Sequence, residues 1–346
     1  MKKIKKCVGV GRVMIGGGHA VCIQSMTNTD TADIEATCRQ MTALQEAGCE
    51  IVRASVYNQA CARAFKQIKQ RIRMPLVADV HFDHRLAIAA VENGADKLRI
   101  NPGNIGGQDR VCALAQCCKS HGVPIRIGVN AGSLQKELLA QYGVSAEAMV
   151  RSALQHISQL EREGFDDIVV SLKASSVSLT VEAYRRLHVL VDYPLHLGVT
   201  EAGTERMALI KSAAGIGALL LDGIGDTFRV SITGDPVKEV KAGLDILRAL
   251  RLREGLDIIS CPTCGRCAMD VEGIVEELER RLEGKTCALR IAVMGCAVNG
   301  PGEAKEADVG IACTHTGGLL FKKGVAIRNV AKEDMVDALL GEIEAF

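Results

Sequence analysis

From residue 21 onward one rhythm governs the chain: a short apolar run, a longer amphipathic stretch, then another short run. The apolar runs fall at 21–24, 51–54, 76–79, 97–100, 125–129, 168–172, 195–199 and 218–221, and each reads as a buried strand. Between them the spacing predicts helices over 33–47, 59–69, 84–92, 107–120, 146–163, 180–190, 202–213 and 236–250. The first helix opens on Thr31 or Asp33 as N-cap, with Ile34, Cys38, Met41 and Leu44 at helical spacing. Gly48, Gly94, Gly122 and Gly164 each follow a helix, where a left-handed residue is wanted. Strands that alternate with helices build parallel sheets, and eight such units predict a (β/α)8 TIM-type barrel. A doubly wound open sheet is disfavoured, because no G-x-G-x-x-G follows the first strand and Gly9-Val-Gly11 precedes any strand–helix unit.

After Arg253-Glu-Gly-Leu256 the pattern changes, which divides the chain into a barrel over 1–256 and a second domain over 257–346. The second domain reads as a helix over 271–282, strands over 289–293, 309–313 and 325–328 with a glycine turn between the last two, and a helix over 332–343. That is a small α+β unit, which resembles the ferredoxin or sulfite-reductase type. It carries Cys261-Pro-Thr-Cys264-Gly-Arg-Cys267 and, later, Gly295-Cys296-Ala-Val-Asn-Gly-Pro-Gly-Glu303. A C-x2-C pair with a distant cysteine means zinc or an iron–sulfur centre more often than a disulfide where thiols are kept reduced. A structural zinc site would present a second close Cys/His pair, which is missing, whereas cysteine followed by proline and glycines resembles ferredoxin loops. The competing explanation is packing, since free cysteine behaves as a small buried hydrophobe. Of the 14 cysteines, Cys22, Cys38, Cys49, Cys112, Cys117, Cys118, Cys287 and Cys313 lie in apolar or helical patterns and are assigned to packing.

The ends of the barrel strands are charged where barrel enzymes do their chemistry. Arg53, Arg99 with Asn101, Arg126 with Asn130, and Lys173 stand in or just after apolar strands. Such cations are costly to desolvate unless an anion meets them, and arginine forks suit phosphate. Asp222-Gly-Ile-Gly-Asp226-Thr-Phe-Arg229-Val-Ser231, taken to follow the eighth strand, suits a phosphate held on backbone N–H groups, so a diphosphate is the economical ligand. The alternative is that the arginines pair with Asp79, Glu50 or Asp222 as structural ions. In Asp79-Val-His-Phe-Asp-His84, His81 stands nearer the strand end and is the better site candidate; one of the two histidines caps the next helix. Glu201, after the seventh strand, is either a general acid or base or the N-terminal charge of the following helix. Net charge is +1, from 42 basic and 41 acidic residues, and aromatic content is 3% without tryptophan, which argues against a nucleic-acid surface. Met1-Lys-Lys-Ile-Lys-Lys6 precedes no long apolar run, and no stretch approaches the ~20 residues that cross a bilayer, so a cytoplasmic protein is expected.

A diphosphate-binding barrel joined to a cluster domain resembles the bacterial 4-hydroxy-3-methylbut-2-enyl diphosphate synthase family over essentially the whole chain. The likeness is carried by Val21-Cys-Ile-Gln-Ser-Met-Thr27, Ala78-Asp-Val-His-Phe82, Lys97-Leu-Arg-Ile-Asn-Pro-Gly-Asn-Ile105 and Arg126-Ile-Gly-Val-Asn-Ala-Gly-Ser133. It continues through His196-Leu-Gly-Val-Thr-Glu-Ala-Gly203, Ser260-Cys-Pro-Thr-Cys-Gly-Arg266 and Met294-Gly-Cys-Ala-Val-Asn-Gly-Pro-Gly-Glu303. The resemblance implies reductive ring opening of 2-C-methyl-D-erythritol 2,4-cyclodiphosphate in isoprenoid biosynthesis by the methylerythritol phosphate route. It further implies that two electrons pass singly from reduced flavodoxin or ferredoxin through a [4Fe-4S] cluster on Cys261, Cys264, Cys296 and Glu303. A carboxylate is a harder and more readily displaced ligand than thiolate, so it leaves one iron open to a substrate oxygen. By the same resemblance Arg53, Arg99, Arg126, Lys173, Arg229 and Ser231 cradle the diphosphate, Asn101 and Asn130 orient it, Asp79 and Thr200 lie nearby, and Glu201 handles the proton. A homodimer is implied, the cluster domain of one subunit covering the barrel of the other.

Cys267 departs from that pattern, standing where a non-ligating residue is usual and imitating an all-cysteine ferredoxin site. The intact Gly295–Glu303 pattern favours Glu303 as the fourth ligand. A radical S-adenosylmethionine enzyme would need a C-x3-C-x2-C loop near the start of the barrel, which is absent. An iron or oxygen sensor and a zinc-stapled phosphosugar lyase are the remaining rivals; the cation ring opposes the first and colour separates the second.

Overall fold

In the computed structural model, which describes residues 6–285, 288–296 and 304–346, the chain divides between Leu250 and Arg251 into two units. The first opens with an antiparallel hairpin of β1 (Cys7–Val10) and β2 (Val13–Gly16). Then follow β3 (Cys22–Met26), α1 (Ile34–Glu46), β4 (Ile51–Ser55), α2 (Gln59–Arg71), β5 (Leu76–Asp79), α3 (His84–Glu92) and β6 (Lys97–Ile100). Next come α4 (Pro102–Ile105), α5 (Gln108–His121), β7 (Ile125–Asn130), α6 (Lys136–Tyr142), α7 (Ala146–Arg162), β8 (Ile168–Lys173) and α8 (Val177–Leu190). The unit ends with β9 (His196–Leu197), α9 (Glu205–Leu221), β10 (Thr227–Phe228) and α10 (Pro236–Ala249). Strands β3 to β10 pair in parallel in the order β8-β7-β6-β5-β4-β3-β10-β9, and a bridge from Val170 to Leu195 joins the two ends into a closed barrel.

Strand periodicity sorts the residues. Outward positions such as Val52, Leu76, Leu98, Ile127 and Val170 pack under the helices. The alternate positions carry the polar set Gln24, Arg53, Asp79, Lys97, Arg99, Arg126, Ser171 and Lys173, all buried. A small apolar cluster of Cys22, Ile51 and Val77 is completed by Val10 and Ile15 of the hairpin, which closes the N-terminal end of the barrel. The hairpin stands outside the main rhythm because its two short strands follow one another with no helix between them. Helix starts follow capping chemistry: Asp33 accepts from Ala36 N, and Asp83, rather than either neighbouring histidine, caps α3 by accepting from Arg85 N.

One strand assignment is overturned. Residues 218–221 form the last turn of α9, because alanine and leucine continue a helix already begun at Glu205. The eighth strand is the two-residue β10, too short to show as an apolar run. The glycine segment Asp222–Asp226 therefore precedes that strand and lies at the end opposite the mouth, so it is not a phosphate loop after the eighth strand. Gly225, at φ +113°, has no room for a side chain because a Cβ would fall 2.4 Å from Leu197 Cδ1. Asp226 accepts from Leu195 N at 2.9 Å, and Asp222 pairs with Arg185 at 2.7 Å. Arg229 and Ser231, by contrast, follow β10 toward the mouth.

The second unit is a five-stranded sheet, β11 (Asp257–Ser260), β12 (Arg290–Met294), β13 (Val309–Thr314), β14 (Gly317–Lys322) and β15 (Val325–Ala331), ordered as numbered. The first three strands run parallel and the last two antiparallel. Helices α11 (Val271–Leu282) and α12 (Met335–Glu344) share a core with it through Leu278, Leu282, Ile291, Ile311, Leu320 and Leu339. Strand β14 occupies what the sequence presents as a glycine turn. Gly317 sits inside it because the backbone of Val330 comes within 2.0 Å of where a Cβ would be. Among the described residues no helix is long and apolar enough to cross a membrane.

Candidate active site

At the mouth of the barrel the strand ends bring Arg53, Asp79, Arg99, Arg126 and Lys173 together as buried groups. Asp79 is the hub: Arg99 Nη1 lies 3.1 Å from its carboxylate, Arg53 Nε 3.7 Å and His81 Nε2 3.5 Å. Arg99 Nη1 also meets His81 Nε2 at 3.1 Å, while the imidazole itself stays exposed. Arg229 donates from Nε and Nη2 to Glu239 of α10, at 2.9 and 2.7 Å. Arg126 donates to Ser171 Oγ at 2.7 Å, and its Nε and Nη2 have no partner among the described residues. Lys173 Nζ stands 3.4 Å from His196 Nε2. Lys97 Nζ is fully buried and also finds no partner there.

Charge is held here at a cost. Burial drives the lysine and histidine values down: Lys97, Lys173 and His196 all lie well below their ordinary range, and Arg126 adds repulsion to each. Arg126 itself is lowered by burial and then by Arg53 and Arg99. Arg53 is pulled down to about 10 by burial, with Asp79 opposing the shift. Burial would raise Asp79, but Arg53, His81 and Arg99 together outweigh it and hold the carboxyl well below the usual range. One ionised carboxylate thus serves several cations, and the site has an unmet demand for negative charge.

Local backbone chemistry makes room for these side chains. Arg99 lies across Gly128, where a Cβ would come within 2.6 Å of its Nε, and Lys173 crosses Gly198, where a Cβ would meet Nζ at 2.8 Å. Tyr184, buried in α8, donates to His196 O and accepts from Leu172 N, tying the strands that carry Lys173 and His196. Asn101 is buried and donates to Ser133 Oγ at 3.1 Å, and Ser133 reaches Asn130 O at 3.3 Å. Thr200 N donates to Ala174 O at 3.2 Å; Ser231 is half-buried. Glu201 is exposed and takes φ +52°, a left-handed conformation unusual for a residue with a side chain.

In the second unit Cys261 follows β11 and Cys296 follows β12, so neighbouring parallel strands end in thiols. Gly295 N donates to Cys261 Sγ at 3.1 Å. A Cβ on Gly295 would lie 2.9 Å from Cys261 Sγ and 2.6 Å from Cys267 Sγ, so glycine is required and both sulfurs crowd one point. Cys264 is exposed. Cys313, buried nearby, has its thiol pushed up to about 11 by burial and by Cys267, Cys261 and Cys296. Among the described residues no three His, Cys, Asp or Glu side chains converge on a single ion. Glu303 lies outside the described residues, as does Cys287.

Residues 5–244 match the GcpE TIM-barrel domain and residues 257–345 the GcpE protein C-terminal domain. Over 346 residues the chain is 55% identical to the 4-hydroxy-3-methylbut-2-en-1-yl diphosphate synthase (flavodoxin) of Caldanaerobacter subterraneus subsp. tengcongensis, covering 99% of this chain and 98% of that one. The chain belongs to this family. The enzyme of the same name from Geobacter sulfurreducens is 55% identical with the same coverage, and that of Ruminiclostridium cellulolyticum 53% identical, covering 99% and 96%. Among solved structures, Yersinia pestis dihydropteroate synthase aligns with a TM-score of 0.51 at 12% identity, over 71% of this chain and 99% of that one. The Xanthomonas albilineans enzyme with 7,8-dihydropteroate gives 0.50 at 15%, over 71% and 97%. At such identity the likeness speaks for the fold alone.

Within this synthase fold the arginines singled out from strand ends do gather, and the pairing with Asp79 weighed as an alternative is present too, for Arg53 and Arg99. Glu50 instead accepts from Ile23 N at 2.8 Å. Glu239 and Tyr184 lie outside every motif, and Met26 falls within Val21–Thr27 without a role assigned from the sequence. Glu239 looks like an ordinary helix-surface acid, and only its 2% exposure reveals that it turns inward. Its place among the apolar residues of α10, between Pro236 and Val240, was the available signal.

Proposed function

We infer that this chain converts 2-C-methyl-D-erythritol 2,4-cyclodiphosphate to 4-hydroxy-3-methylbut-2-enyl diphosphate in isoprenoid biosynthesis, taking up two electrons, opening the ring and losing a hydroxyl as water. The observation that carries the reading to the site is the excess of buried cations over carboxylate at the barrel mouth, with Arg126 still holding open donors. Arg53, Arg99, Arg126, Lys173 and Arg229 bind the diphosphate together with Ser231, which replaces the hydration those cations lack. Asn101 and Asn130, linked through Ser133, orient it, and Asp79, His81 and Thr200 line the cradle. Glu201, the exposed carboxylate after β9, transfers the proton.

The thiols fit an iron–sulfur centre: Cys261 and Cys296 follow adjacent parallel strands, and the Gly295 amide points at the Cys261 sulfur. A cube of iron and sulfide keeps its ligands farther apart than one ion does, in keeping with the lack of a tight single-ion group. We assign the first unit to the substrate and residues 257–346 to a [4Fe-4S] cluster held by Cys261, Cys264, Cys296 and Glu303. When bound, the cluster supplies electrons one at a time from reduced flavodoxin or ferredoxin. Two copies pair so that the cluster domain of one closes the barrel of the other, in the cytoplasm.

Anaerobic purification followed by a spectrum and an assay on the cyclic diphosphate tests the reading. Brown protein absorbing near about 400 nm and turning over substrate is expected; colourless, zinc-containing protein would overturn it. A mixture of Glu201 and Cys296 variants regains activity if the site is shared between copies, and stays dead if it closes within one chain. The position of Cys267 beside Cys261 favours a second ligand set in which Cys267 replaces Glu303. Cys267→Ser that keeps its iron and activity, beside a Glu303→Ala that is inactive, excludes that set.

A further inference from the structure

The contacts around the mouth form one continuous chain of alternating acceptors and guanidinium groups. Glu239 holds Arg229 at 2.7 Å, and Arg229 Nη1 stands 3.5 Å from the sulfur of Met26. The same sulfur meets Arg53 Nε at 3.1 Å and Nη2 at 2.8 Å. Arg53 turns to Asp79 at 3.7 Å, and Asp79 meets Arg99 at 3.1 Å. Carboxylates fill two of the acceptor places in this chain. The place between Arg53 and Arg229 is filled by a neutral thioether.

That difference has a physical consequence. Arg53 and Arg229 repel one another in a buried setting. A carboxylate between them would quench the repulsion but would also cancel the charge that a diphosphate needs. An aliphatic side chain would remove the acceptor shared by Arg229 Nη1 and by Arg53 Nε and Nη2, leaving Glu239 and Asp79 to hold each fork from its far side only. A polarizable sulfur is a weak acceptor with no charge of its own, so it can steady both forks while the positive field stays intact. Glu239 completes the arrangement from the far side. It accepts from Arg229 Nε and Nη2, from Ser25 Oγ at 2.9 Å and from Ile232 N at 3.1 Å, which leaves Nη1 as the part of Arg229 turned toward Met26. Ser25 and Met26 are neighbours on β3, so one strand end sets both partners of Arg229.

We propose that Met26 is a positioning residue whose thioether spaces Arg53 and Arg229 to receive a diphosphate. The inference rests on the substrate reading above and adds the residue that sets the width of the cradle.

The test compares wild type, Met26→Leu and Met26→Gln as reconstituted holoenzyme, with inorganic pyrophosphate binding followed by calorimetry on the same preparations. Leucine keeps the volume and removes the acceptor. KM for the cyclic diphosphate and Kd for pyrophosphate should each rise about tenfold, with kcat and Tm little changed. Glutamine, a neutral acceptor, should recover most of the loss, and selenomethionine-labelled wild type should behave as wild type. Unchanged KM and Kd in Met26→Leu would overturn the proposal. So would a fall in kcat and Tm with no change in pyrophosphate affinity, which marks a merely structural residue. Wild type that binds pyrophosphate but does not act on the cyclic diphosphate would instead sink the substrate reading.

Discussion

At the barrel mouth, Arg53, Arg99 and Arg229 each rest on an acceptor supplied by the protein, namely Met26, Asp79 or Glu239. At the strand ends of the second unit, Cys261 accepts from one amide, Cys267 donates to Met269 O at 3.0 Å, and Cys264 is exposed. The two regions solve different problems. Like charges crowded in a low-dielectric interior must be held apart and aimed in advance, or burial would expel them. Thiols are small and neutral until they meet a metal, so packing tolerates them and the metal supplies the binding energy afterwards. Removing a group from the mouth should therefore disturb its neighbours, whereas removing a thiol of the proposed cluster should cost the iron and leave the fold in place.

The sharpest form of that contrast is Cys264→Ser. Because this thiol is exposed, Tm of the metal-free protein should stay within about 1 °C, while iron content drops and turnover falls by at least about 1,000-fold. Retained iron and turnover would erase the distinction between the regions. The next largest effect belongs to Arg126→Met, which removes a fully buried charge at similar volume. Activity should fall about 100-fold or more, yet urea stability should hold or rise, since a buried cation without an anion opposes folding. A parallel loss of stability would recast Arg126 as structural. Glu239→Gln comes third: it weakens the hold on Arg229 and should cost about 3 kcal/mol of stability by leaving that charge poorly met, with KM raised more than kcat is lowered.

The smallest effect is one of pH. His196 and His156 are both lowered, chiefly by burial, so each stays neutral in the folded chain at a pH where the unfolded chain takes up a proton. The unfolded state then binds more protons, and stability falls as pH drops below about 6.5, by up to about 1.4 kcal/mol per pH unit for each imidazole. Asp79, whose value is depressed, contributes stability above the ordinary carboxylate range that is lost only in stronger acid. Urea midpoints at pH 5.5 and 7.5 should therefore differ in wild type and differ less in His196→Gln. An equal difference in the variant would mean that His196 is not held neutral.

Much of the architecture was legible because it depends on near neighbours along the chain. The runs at 76–79 and 97–100 match β5 and β6, and 84–92 and 271–282 match α3 and α11, since apolar period and capping act within a few residues. The misplaced eighth strand shows the limit. An Ala-Leu-Leu-Leu run is apolar in either state, and a two-residue strand carries no period to detect.

By itself the chain's order of residues determined the alternating strands and helices, the charged strand ends and the cysteine motifs, because periodicity and spacing are local properties. Only the folded structure decided which acceptor each cation meets. Met26 and Glu239 are 213 residues apart along the chain by their numbers, and they reach the same arginine through barrel closure alone. Electrostatic partners inside a barrel are set by strand register and by which helix residue turns inward, and neither leaves a signature within any single segment.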